Sequence, residues 1–81
     1  MNKVDIQNTI VKSISKYCNI EKQNIYEDAI LSEYIHSSIE FIKIIVDLED
    51  TYDIVFINEE LKIDNFKTIS DLVEFVGNKL K

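Results

Sequence analysis

The sequence predicts an all-α fold, a four-helix bundle with a long first loop and a short third helix. Apolar residues recur at helical spacing over residues 3–18, 38–52 and 68–80, with a shorter run near 58–63. Proline is absent and Gly77 is the only glycine, which leaves no turn-rich linker and no glycine loop to cradle a phosphate. Each long stretch is preceded by a residue able to cap a helix: Asn2, Ser37, and Thr68 or Ser70.

In the first helix Val4, Ile6, Ile10, Val11, Ile14, Tyr17 and Cys18 share a face, with Lys12, Ser13 and Lys16 largely elsewhere. That stripe is core, and Cys18 at its end reads as a buried structural thiol. Residues 19–36 form a connection longer than small domains usually carry. Ile20, Ile25, Tyr26, Ile30, Leu31, Tyr34 and Ile35 can pin it down, and Glu27–Ser32 can form a helical turn.

The second helix has the most to say. Ser37 can cap it, and Glu40 can reach back to the Ser37 amide to complete a capping box. Ser38 is then the first helical residue, its hydroxyl beside outward-pointing amides where a phosphate is favoured by roughly 0.3–1 kcal/mol. Phe41, Ile44, Ile45, Leu48 and Tyr52 span an arc of about 100°, while Ile39, Ile42 and Val46 extend it by roughly another 120°. So wide an arc exceeds what one side of a small bundle buries. The first five are therefore assigned to the core, and Ile39, Ile42 and Val46 to a half-exposed strip beside Ser38, edged by Glu49 and Asp50.

Asn58 can cap the short third helix, with Glu59 and Glu60 in its first turn and Leu61 turned inward, and Ile63 and Phe66 can tie down the connection to the last helix. Thr68 with Asp71 makes a second box, opening a helix whose Ile69, Leu72, Val73, Phe75, Val76 and Leu80 share an arc of about 160°.

Eighty-one residues make one domain, 1–81, with 46% hydrophobic content to build a core. A single Cys forms no internal disulfide, so packing must hold the fold. No apolar run reaches membrane-spanning length and the N-terminus carries no apolar signal region, which predicts a soluble protein of a reducing cytoplasm, off the membrane; a monomer is the accompanying expectation. A net charge of −6 argues against nucleic acid and anionic membranes, and suits partners with basic docking surfaces. The absence of Arg alongside 15 Ile fits an AT-rich bacterial genome.

Metal chemistry needs clustered ligands, and one His and one Cys far apart in the chain give none. A hydrolase built on Ser38 and His36 lacks an oxyanion-hole loop. The parts of an enzyme are missing.

From Ser38 to Ile54 the chain resembles the second helix of the acyl carrier protein family, whose signature is D-S-L before an acidic amphipathic helix. Ser37-Ser38-Ile39 stands at that signature, and Glu40, Phe41, Ile42, Ile44, Val46, Leu48, Glu49, Tyr52, Asp53 and Ile54 continue it without a gap. About seventeen positions in register are far more specific than a three-residue motif. The run from Asn65 to Val76 is also similar to the end of carrier domains, and the likeness is weakest in the first helix.

The resemblance implies an acyl-carrier-type bundle in which a separate phosphopantetheinyl transferase joins 4′-phosphopantetheine, taken from coenzyme A, to Ser38. The arm would hold acyl, polyketide or aminoacyl cargo as thioesters for loading and synthase enzymes. Family contacts to such partners map to Glu40, Asp47, Glu49 and Asp50, where Asp47 replaces a commonly small residue. The expected docking set is thus Ile39, Glu40, Ile42, Val46, Asp47, Glu49 and Asp50. Ser37 replaces the usual acid, Lys43 stands where the fatty-acid type usually has an acid, and Ile35 replaces a glycine. These departures imply a specialised carrier rather than the housekeeping fatty-acid one, and the leading expectation is a freestanding carrier. The rival reading is a carrier-like adaptor that never receives the arm and binds partners through its acidic second helix.

Overall fold

A computed structural model describes residues 2–80, which are all-helical: α1 (Lys3–Cys18), α2 (Ser38–Tyr52) and α3 (Ile69–Lys79), joined by segments containing short 3-10 turns. Among the described residues no helix is long and apolar enough to cross a membrane.

α1 packs against both α2 and α3. Asn2 caps it, its side-chain oxygen accepting the Asp5 amide at 2.9 Å, and Asn19 ends it in the left-handed conformation. Ile6, Ile10 and Ile14 are fully buried, but Val4 is 65% exposed. Val4 lies about 160° around the helix from Ile6, at the far edge of the apolar arc, where it overhangs the bundle. Ser13, expected off the core face, is buried. It sits two turns after Ile6 and so points the same way. At the end of the stripe, burial and then the Glu40 carboxylate push the Cys18 thiol above its ordinary 9.0, which keeps it protonated.

The 19–37 connection folds down through Ile25, Leu31, Tyr34 and Ile35, all buried, with 3-10 turns at Lys22–Asn24 and Leu31–Glu33. The Tyr34 hydroxyl donates to the Asn24 carbonyl and accepts the Tyr26 amide, each at 3.2 Å. The Tyr26 side chain itself is exposed, contrary to its expected anchoring role. Leu31 donates its N–H to the Lys67 carbonyl and Ser70 donates to the Glu27 carbonyl, so this connection is tied to the start of α3.

The predicted short third helix is replaced by two 3-10 turns, Asn58–Glu60 and Ile63–Asn65. Leu61 (φ −85°, ψ 41°) leaves helical geometry between them. The Asn65 side-chain Nδ2 donates to the Glu59 carbonyl at 2.8 Å, occupying an acceptor that a continuing helix would use. Capping also differs from expectation: Asn58 is the first residue of its turn rather than the cap, and the Ile57 amide at the cap position donates to the Glu60 carboxylate at 2.8 Å.

All four phenylalanines join in one chain of rings beneath this segment. Phe41 meets Phe66 at 6.2 Å, Phe66 meets Phe75 at 5.1 Å and Phe75 meets Phe56 at 5.5 Å between centroids. Lys79 lies over Phe56 and Phe75 while pairing with Glu60 at 3.0 Å. The Ile57 amide, then Lys79, hold the Glu60 carboxyl below its ordinary 4.5. A lowered carboxyl pKa adds stability that is fully present above the unfolded value and is lost as pH falls through the folded one. Acidification below about pH 4.5 should therefore loosen residues 54–66. Amide exchange across this segment should rise on acidification relative to intrinsic rates, and Glu60→Gln should remove that dependence.

Gly77 lies inside α3, and a Cβ there would meet Ile6 Cδ1 at an ordinary 3.8 Å. Gly77→Ala should therefore stabilise the protein by about 0.5–1 kcal/mol, measured by urea denaturation.

Candidate functional site

The site builds from the first turn of α2. Ser37 is extended (φ −143°, ψ 153°), and its hydroxyl accepts the Glu40 amide at 3.2 Å. Glu40 reaches back, but to the His36 amide at 2.9 Å rather than to Ser37. The reciprocal cap thus spans one residue more than the predicted box. It fixes the direction from which the chain enters the helix and leaves Ser38 exposed as its first residue. Of the first-turn amides that lack intrahelical acceptors, Glu40 donates to Ser37 Oγ, which leaves those of Ser38 and Ile39 at the head of the helix.

Beside it lies an open depression of about 290 Å³ lined by Ser32, Ile35, His36, Ser37, Ser38 and Ile63. Ile35 is buried and anchors the approach to the serines, while Ile63 comes from the second turn after α2. A second depression, of about 280 Å³, shares Ser32 and Ile63 and continues past Ile30 and Phe66 to Lys67. Together they form a trough leading away from Ser38 between the α1–α2 connection and the 63–67 segment. The sequence reading missed Ser32 as part of it, because nothing in periodicity shows two loops meeting.

The outer strip of α2 is open, with Ile39 68%, Ile42 38% and Val46 44% exposed. Val55 and Ile57 add exposed apolar surface after α2, which the sequence reading also missed. The Phe56 amide donates to Glu49 at 2.9 Å and draws this segment along the Glu49 edge of the strip.

The four acids have different surroundings. Asp50 is exposed, Glu40 serves the His36 amide and Glu49 serves the Phe56 amide. Asp47 faces α1: its carboxylate accepts the Ser13 and Tyr17 hydroxyls, each at 3.0 Å. Asp47 therefore fastens two helices, whereas the sequence placed it among the acids offered to a partner. The i, i+4 pair Ser13 and Tyr17 was the available signal.

Residues 8–76 match the family described as phosphopantetheine attachment site. The chain belongs to this phosphopantetheine carrier family. No curated protein matches it. Carrier domains of this family receive 4′-phosphopantetheine covalently and work with phosphopantetheinyl transferases and synthases. The carrier's α2 fits that group on its own geometry: an exposed serine at the helix head, the uncommitted Ser38 and Ile39 amides for a phosphodiester, and a trough along which an arm can lie.

Proposed function

We propose that this chain acts as a carrier with Ser38 as the attachment residue and Ser37 as the cap that presents it. The supporting observation is the exposed Ser38 hydroxyl at the head of α2, opening on the trough. Ser38 needs no base of its own. A separate transferase directs Ser38 Oγ at the pyrophosphate of coenzyme A; a new O–P bond forms and the nucleotide bisphosphate leaves. The bound arm supplies a terminal thiol that holds acyl, polyketide or aminoacyl cargo as a thioester. Tethering raises the cargo's effective concentration at successive enzymes.

The chain's own residues orient and present. The Ser37 and Glu40 cap sets the helix head, Ile35 seats the approach, and Ile39, Ile42 and Val46 offer an apolar strip. Glu49 and Asp50 supply its negative rim, and Glu40 adds an acid at the helix head on the α1 side, for partners with basic docking surfaces. In this reading the protein is a monomeric cytoplasmic carrier of bacterial origin that performs no catalysis itself. The test is intact mass after incubation with coenzyme A, magnesium and a broad-specificity phosphopantetheinyl transferase. The mass should rise by one arm, and an unchanged mass with transferases that load other carriers overturns the reading.

A further inference from the structure

In a chain of net charge −6, one face is locally basic. The groove between α1 and α2, about 320 Å³, is lined by Thr9, Lys12, Ser13, Lys16, Asp47 and Thr51. Lys16 and Lys43 both approach the Tyr17 ring, at 5.1 and 5.9 Å from its centroid, so Lys43 extends the same patch from α2. Among the described residues the ion pairs are Lys3–Glu74 and Lys79–Glu60, and Lys12, Lys16 and Lys43 take part in neither. The acid in the groove, Asp47, already accepts two hydroxyl hydrogen bonds. Nearby Glu40 is turned to the His36 amide.

We propose that this groove docks an acidic, carboxylate-bearing segment of a partner protein. In the groove lining two exposed ammonium groups, Lys12 and Lys16, face one engaged carboxylate, and Lys43 adds a third beside Tyr17. Glu40 and Asp50 at the margins of α2 reduce that positive balance. The Thr51 hydroxyl stands at the groove edge to donate to a carboxylate oxygen, Thr9 Oγ1 being already given to the Asp5 carbonyl. The overall negative charge repels extended polyanions such as nucleic acid or an anionic bilayer, while a short acidic segment meets the lysines within a Debye length of about 8 Å. Asp47 on the groove floor likewise disfavours a dense free anion. Ser38 and Asp47 lie about 180° apart around α2, so the groove and the trough occupy opposite flanks and the proposal stands apart from the arm. A partner engaging both flanks of α2 would need basic groups over Glu49 and Asp50 and acidic groups over the lysines of the α1–α2 groove, a bipolar complement that fixes its orientation.

The test titrates ¹⁵N-labelled protein with a capped hexaglutamate peptide. Amide shifts should concentrate at Thr9–Tyr17 and Lys43–Thr51. Affinity should fall about tenfold in Lys12→Glu/Lys16→Glu protein and weaken with salt. Lys43→Gln should reduce it less, and Ser38→Ala should leave it unchanged. The proposal is overturned if shifts fall elsewhere or survive the double charge reversal. It is equally overturned if inorganic phosphate alone reproduces them, if only phosphatidylglycerol vesicles bind the groove, or if the same amides shift through self-association of the protein.

Discussion

Ser38→Ala should abolish the mass gain on incubation with coenzyme A and transferase, while Ser37→Ala should retain it. The two hydroxyls are adjacent but serve different ends. Ser37 Oγ is committed to the Glu40 amide inside the cap, whereas the Ser38 side chain is exposed on the first helical turn. Losing the cap should cost about 0.5–2 kcal/mol of stability and slow modification without preventing it. Losing the Ser38 hydroxyl removes the nucleophile outright, so the expected effect is complete. Circular dichroism of both variants separates a missing nucleophile from a missing fold. Modification of Ser38→Ala, or its loss in a folded Ser37→Ala, would move the attachment to Ser37 and refute the assignment.

Phe41→Ala should destabilise the carrier by about 3–5 kcal/mol. Phe41 is 1% exposed and begins the chain of rings that runs through Phe66 and Phe75 to Phe56. Truncation leaves a cavity between α2 and the 63–66 turn, and Phe66 loses its neighbour on that side. A domain of this size has roughly 4–12 kcal/mol to lose, so the variant should unfold at a sharply lower urea midpoint. Ile39→Ala, on the same helix but 68% exposed, should shift the midpoint by less than about 1 kcal/mol. A similar shift in both variants would mean that the inward and outward faces of α2 are misassigned.

The three long helices were legible because each combines a cap with apolar residues at helical spacing. α1 and α2 have the bounds that this pattern predicts, and α3 begins one residue after Thr68, its cap. The 58–65 segment was not legible, because its shape depends on partners distant in sequence. Glu60 is drawn to Lys79 and Phe56 sits on Phe75, neither of which local periodicity can report. Within the site, Ser38, Ser37 and the open strip could be read from helical phase and capping. The trough could not, since Ser32 and Ile63 meet only through the packing of two connections. Asp47 looked like one more surface acid until α1 was in place.

That acid has a consequence for what the outside world sees of α2. Greasy contact between helices is non-directional and tolerates some rolling of one cylinder against another, whereas hydrogen bonds tolerate little. Ser13 and Tyr17 grip Asp47 near the middle of α2, and the Tyr52 hydroxyl meets Thr9 at 2.8 Å near its end. Two such pins act as a keyway, setting the angle at which Ile39, Ile42 and Val46 emerge, so the inner seam decides what the outer surface can display.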